Sequence, residues 1–162
     1  MSFPKIGSKP PGFTLQDQSG NNVSLSDFSG KNVVLYFYPR ANTPGCTIQA
    51  EGIRDHQAEF DALNTVVLGV SPDTVKKVSN FVDKKSLNFT LLADTDHAVA
   101  ESYGVWQLKK FMGNESMGVV RTTFILDGAG VLQGIIEVNG RKTGSKTKTH
   151  HADVLAWLAD NL

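Results

Sequence analysis

The hydrophobic pattern changes period several times along the chain, and each change marks an element. Phe13 and Leu15, then Val23 and Leu25, flank Ser19-Gly20-Asn21-Asn22, which predicts a short N-terminal hairpin. Val33 to Tyr38 is apolar throughout, and Val66 to Val70 is a second such run. Both read as strands buried on two faces, as in the middle of a parallel sheet. Between them Cys46, Ala50, Ile53, Gln57 and Phe60 recur at spacings of four and three, one face of a helix over 46–63. Strand, helix, strand implies a right-handed crossover. A second helix is expected from Ser71-Pro72-Asp73, with Ser71 capping, Pro72 in the first turn, and Val75, Val78 and Val82 inward. Phe89 to Leu92 reads as a strand and Asp94 to Tyr103 as a shorter helix. Val119 to Leu126 and Val131 to Val138 read as an antiparallel pair around Asp127-Gly128-Ala129-Gly130. The last helix begins near Thr149, with Leu155, Leu158, Ala159 and Leu162 as its apolar face.

The order is a hairpin, then βαβαβα, then ββα, which makes the chain α/β, with a central mixed sheet flanked by helices. The Asp127 to Gly130 turn is too short for a crossover, so a thioredoxin-like topology ending in an antiparallel ββα unit fits better than a fully parallel sheet. At about 150 residues per domain, 162 residues amount to one domain over 1–162, with no linker or repeat inside it. Hydrophobic residues at 40% and charged residues at 20% fit a globular protein. Sixteen basic and sixteen acidic residues cancel, so there is no basic field to recruit nucleic acid or an anionic membrane. No apolar run reaches the ~20 residues of a membrane span, and the first thirteen residues lack the apolar centre of a signal peptide. The reading is cytoplasmic. Cys46 is the one cysteine, which excludes an intramolecular disulfide and a multi-cysteine zinc site.

Tyr38-Pro39-Arg40-Ala41-Asn42-Thr43-Pro44-Gly45-Cys46 sits at the carboxyl end of the first buried strand, where ligands bind in open α/β sheets. With Thr43 as N-cap and Pro44 as the first helical residue, Cys46 takes the third helical position. A sulfur there faces unpaired N–H groups and the positive end of the helix dipole, which favour thiolate over thiol. The Thr43 hydroxyl lies close enough to donate to the sulfur or to a bound oxygen. A lone cysteine is more often a small buried hydrophobe, but the capped helix start weighs against that here. A thiolate nucleophile also needs a donor for the charge that develops on the leaving atom. Arg121, opening Arg121-Thr122-Thr123-Phe124-Ile125-Leu126 on a predicted internal strand, is the odd charge in an apolar run. Pattern alone leaves it either as that donor or as an edge-strand arginine with its head in water.

Other features carry less. His150 and His151 are adjacent and diverge on a helix start, and His56 and His97 lack ligand spacing, so no metal site is expected. Asp94-Thr95-Asp96 lacks the glycine and terminal glutamate of a calcium loop and reads as a helix cap. Gly128-Ala129-Gly130 lacks the rest of a dinucleotide motif. Arg141, Lys142, Lys146 and Lys148 form a solvated basic loop or a weak site for an anionic reductant. Trp106, Phe111 and Met112 cover the core, or form an apolar collar if they lie near Cys46.

Taken together, the chain resembles the peroxiredoxins of the bacterioferritin comigratory protein (peroxiredoxin Q) type along nearly its whole length. The most specific element is P-x-x-x-T-x-x-C, here Pro39, Thr43 and Cys46. Supporting segments are Gly69-Val70-Ser71-Pro72-Asp73, Phe89-Thr90-Leu91-Leu92-Ala93-Asp94, Tyr103-Gly104-Val105-Trp106, Lys109-Lys110-Phe111-Met112-Gly113 and Arg121-Thr122-Thr123-Phe124. The resemblance implies a thioredoxin-fold peroxidase that reduces hydrogen peroxide or organic hydroperoxides without metal or organic cofactor. In it, Cys46 attacks the peroxide, Thr43 and the amides of Gly45 and Cys46 hold it, Arg121 stabilises thiolate and leaving oxygen, and Pro39 shields the sulfenic acid. Three positions depart from the pattern: Glu51 and Val82 stand where relatives place a resolving cysteine, and Gln49 where they often have glutamate. Recycling then falls to an external thiol (glutathione, glutaredoxin or thioredoxin) or to a disulfide between two copies of Cys46, and a monomer is expected, with a dimer as the alternative. A neutral Gln49 leaves the Arg121 charge less compensated, favouring the thiolate. A redox sensor or thiol exchanger without efficient turnover is the alternative function. A non-catalytic module is disfavoured because a scaffold needs none of Pro39, Thr43, Cys46 and Arg121.

Overall fold

The computed structural model describes residues 2–138 and 145–162. Seven strands form one sheet in the order β2-β1-β5-β4-β3-β8-β9. These are β1 (Thr14–Asp17), β2 (Asn22–Ser24), β3 (Asn32–Phe37), β4 (Thr65–Ser71), β5 (Thr90–Ala93), β8 (Thr122–Leu126) and β9 (Leu132–Glu137). The two apolar runs are the centre: β3 lies parallel to β4 from Asn32 opposite Thr65 to Phe37 opposite Val70. Its other edge runs antiparallel to β8, from Val33 opposite Leu126 to Phe37 opposite Thr122. Alternation along β3 divides the core. Val34, Tyr36 and Tyr38 join Cys46, Ala50, Ile53, Phe60, Phe81 and Val154 on one face. Val33, Leu35 and Phe37 join Val99, Tyr103, Phe124 and Leu132 on the other. Helices cover both faces, so the mixed thioredoxin-like sheet with its N-terminal strand pair is as expected. Among the described residues no helix is long and apolar enough to cross a membrane.

Several boundaries differ from expectation. The helix over 46–63 is two helices, α1 (Pro44–Arg54) and α2 (Gln57–Ala62). His56 makes the break. Its ring Nδ1 is hydrogen-bonded at 2.7 Å to the Gly52 carbonyl that a continuous helix would give to its backbone N–H, which turns instead to Ile53. The helix α3 (Val75–Lys85) starts later than Ser71, which ends β4. Thr74 is its cap, accepting from the Lys77 N–H, and Phe81 joins Val78 in the core, while Val75 and Val82 are half-buried. Asp94 stands outside α4 (Ala98–Ser102), its carboxylate accepting from the Val99 and Ala100 N–H groups at 3.1 and 2.8 Å. Val119 belongs to a second sheet absent from the sequence reading, the hairpin β6 (Trp106–Phe111) and β7 (Asn114–Val119).

The inward face of α5 (His150–Asn161) is His150, Val154 and Leu158, with Leu155 half-buried, whereas Ala159 and Leu162 are exposed. Its Trp157 lies directly over Gly134 of β9, where a Cβ would overlap the indole. Gly134→Val is expected to destabilise the protein by about 1–3 kcal/mol through overpacking, read as a lower urea midpoint with an unchanged slope.

Candidate active site

The first turn of α1 faces the carboxyl end of β3. Tyr38 continues the ladder through its N–H to Val70, and the chain then turns at Asn42, which holds a left-handed φ of 63°. The Ala41 N–H donates to buried Asp73 at 2.8 Å, tying this loop to the approach to α3. Thr43 is the N-cap and Pro44 the first helical residue, with Cys46 third, as the spacing predicts. The Thr43 hydroxyl does not cap the helix, however. It donates to the Arg40 carbonyl at 2.9 Å, so its proton is committed and its lone pairs remain to accept. That corrects the expectation of a donating threonine. Pro39 is half-buried beside the loop.

The Cys46 sulfur is buried, with the residue only 1% exposed. Arg121 Nη1 donates to it at 3.0 Å and to Gln49 Oε1 at 3.2 Å. Arg121 precedes β8 rather than lying within it, and β8 is an inner strand, so this arginine is half-buried with its head on sulfur instead of in water. A guanidinium bond to sulfur is charge-assisted and favours the ionised acceptor over the neutral one. Gly45 makes room for it, since a Cβ there would stand 2.9 Å from Arg121 Nη2. Lys109 lies nearby, its Nζ donating to the Val119 carbonyl at 2.9 Å. Burial, and after it the Arg121 charge, holds its ammonium below its ordinary value, with Cys46 pulling the other way. Among the described residues, no carboxylate pairs with either cation.

Beyond Gln49 the hydrogen bonds continue inward. Gln49 Nε2 meets His150 Nδ1 at 3.2 Å, and His150 Nε2 meets Thr123 Oγ1 at 2.7 Å, all three residues buried. His150 and His151 diverge, as adjacent residues at a helix start do: His151 stacks on His56 with centroids 4.3 Å apart. Sequence reasoning passed over His150 as a site residue, although a polar side chain at the buried first position of an amphipathic helix was the available signal. Burial pushes its imidazolium down to about 3, Asp153 opposing and the His151 and Arg121 charges adding to the shift. Between that value and the ordinary 6.5 the unfolded chain binds a proton that the folded one refuses, so stability falls as pH falls through this window. At roughly 1.4 kcal/mol per unit, this loss is on the order of 4 kcal/mol by pH 3. His150→Asn is expected to remove that part of the slope in urea titrations across the window.

The remaining candidates separate from this cluster. Trp106 covers the core, as one reading had it: it stacks on His97 at 3.9 Å and packs on the face of Val33, Leu35 and Phe37, opposite the face that holds Cys46, while Met112 is 86% exposed and the side chain of Phe111 lies outside what the structure describes. Arg141 and Lys142 lie outside the described residues, while Lys146 and Lys148 are exposed. Residues 6–135 match the AhpC/TSA family. The putative peroxiredoxin bcp of Haemophilus influenzae is 48% identical over 153 residues, 94% of this chain and 95% of that one. The peroxiredoxin Bcp of Bacillus subtilis is 44% identical over 156 residues, 96% of each chain. The bacterioferritin comigratory protein of Xanthomonas campestris, solved for its alkyl peroxide reduction, is similar at TM-score 0.82 and 31% identity, covering 91% of this chain and 90% of that one. For PrxQ of Xylella fastidiosa the TM-score is 0.88 at 27% identity, covering 99% and 98%.

Proposed function

Because this chain belongs to the AhpC/TSA family and is a peroxiredoxin, a thiol-dependent peroxidase, we propose that Cys46 is its peroxidatic residue and turns over by a one-cysteine cycle. The observation that carries this is the 3.0 Å bond from Arg121 to the only sulfur of a cysteine in the chain, made across 75 residues. The thiolate attacks the near oxygen of a hydroperoxide. An S–O bond forms, the O–O bond breaks with its electron pair leaving on the far oxygen, and that oxygen takes a proton to depart as water or alcohol, leaving a sulfenic acid. Thr43 accepts the peroxide O–H through a lone pair, its own proton being held by Arg40. The Gly45 and Cys46 amides hold the near oxygen, and Arg121 Nη2, on the side of Gly45, receives charge on the far one. Pro39 limits water at the oxidised sulfur.

Two thiols return the sulfur to its starting state. The first condenses with the sulfenic acid, releasing water and leaving a mixed disulfide; the second attacks that disulfide and frees Cys46. With no second cysteine in the chain, both come from outside: glutathione with glutaredoxin, or thioredoxin. The enzyme reads as a cytoplasmic monomer acting through one unit over 1–162. Mixing reduced protein with one equivalent of hydrogen peroxide or cumene hydroperoxide is expected to add one oxygen to Cys46, seen by mass spectrometry, with turnover restored by one of these thiol systems. Single oxidation that no thiol reverses would instead favour a redox sensor.

A further inference from the structure

We propose that His150, as a neutral imidazole protonated on Nε2, is a positioning residue that fixes the Gln49 amide and through it seats Arg121 on the Cys46 sulfur. The direction of every bond follows from Arg121. A guanidinium only donates, so the Gln49 atom 3.2 Å from it is the carbonyl oxygen, and the amide nitrogen faces His150. That nitrogen also only donates, so His150 Nδ1 must offer a lone pair. The ring proton then lies on Nε2 and is donated to Thr123 Oγ1 at 2.7 Å. Four elements hold this line in place: Gln49 on α1, Thr123 on β8, His150 on α5, and Tyr36 of β3, whose ring centroid is 5.7 Å from the imidazole. None of Gln49, Thr123 and His150 can turn to water, since all are buried.

The chain of donors also gives a physical reason for an amide at position 49. A carboxylate there would set two acceptors against each other at His150 Nδ1, and the ring would have to carry its proton on that nitrogen. Its Nε2 would then accept from Thr123, reversing the inner bond.

The role in reactivity rests on the peroxidase reading, but the tautomer does not. Long-range nitrogen–proton NMR of the reduced, labelled protein at neutral pH is expected to show His150 with its proton on Nε2, and Gln49→Glu to move it to Nδ1. A proton on Nδ1 in the parent, or no change in the variant, overturns the proposal. His150→Leu is expected to slow oxidation of Cys46 by peroxide about five- to tenfold, the effect of one lost hydrogen bond, and to lower the thiolate ultraviolet absorbance at neutral pH. His150→Asn, which can restore an acceptor toward Gln49, is expected to recover most of both. A folded His150→Leu protein with unchanged absorbance and rate overturns it; if that variant does not fold, the tautomer and Gln49→Glu decide. A parent that shows the Nε2 proton yet ignores peroxide would sink the peroxidase reading alone.

Discussion

Peroxide consumption by the Cys46→Ser variant is expected to fall to the uncatalysed background, a loss of at least about 10³-fold. Serine keeps the shape of the site and can still accept from Arg121, so the fold is retained and circular dichroism should be unchanged. What it lacks is a nucleophile: an alcohol beside one guanidinium does not ionise near neutrality as a thiol can. The chain offers no substitute, since no other cysteine exists to take the oxygen or to form an internal disulfide. Stopped-flow peroxide loss with dithiothreitol as electron donor checks the rate. Turnover surviving in the serine variant would overturn the assignment of Cys46.

The second large effect concerns Arg121. Arg121→Leu is expected to lower the second-order rate with peroxide by about 10²–10³-fold, the range for removing one preorganised donor from a developing oxyanion. Two interactions go at once. The sulfur loses its 3.0 Å charge-assisted bond, and, on the proposed mechanism, the far oxygen of the peroxide loses the second nitrogen of the fork. Arg121→Lys separates them. An ammonium restores the charge as a single point, yet it has no planar fork with which to serve sulfur, Gln49 and leaving oxygen together. Its rate is expected between parent and leucine variant, with thiolate absorbance recovered further than rate. A leucine variant reacting within a few-fold of the parent would assign stabilisation of the leaving oxygen elsewhere.

Much of the frame was legible in the sequence because local patterns and tertiary burial agree there. Val33 to Tyr38 and Val66 to Val70 are apolar at every turn of the pleat and occupy the two central strands. Cys46, Ala50, Ile53 and Phe60 are all buried on one side despite the break at His56, because the second helix keeps Phe60 turned toward the same core. The break itself arises from a side chain competing for a backbone carbonyl, which periodicity does not record. The hairpin of β6 and β7 was hidden for a different reason. Residues 114–117 are all exposed, so no alternation announces the strand, and its turn uses Met112 and Gly113, both at positive φ, where asparagine would be the usual signal. The helix start at Thr43 and Pro44 was readable locally. The partners of Cys46 were not, for Arg121 is 75 residues away and the Gln49 to His150 bond spans 101. Arg121 stood out as a misplaced charge, and the family pattern gave it a role; His150 had neither aid.

The pairing of β3 with β8 also decides whether the sulfur and its cation meet. Cys46 lies 75 residues before Arg121, and the cation that meets its sulfur stands immediately before the strand beginning at Thr122. Until that strand pairs with Phe37, the chain carries Cys46 without its guanidinium. The site is therefore a product of tertiary pairing: neither the helix that carries the sulfur nor the strand that follows the arginine brings the two together by itself.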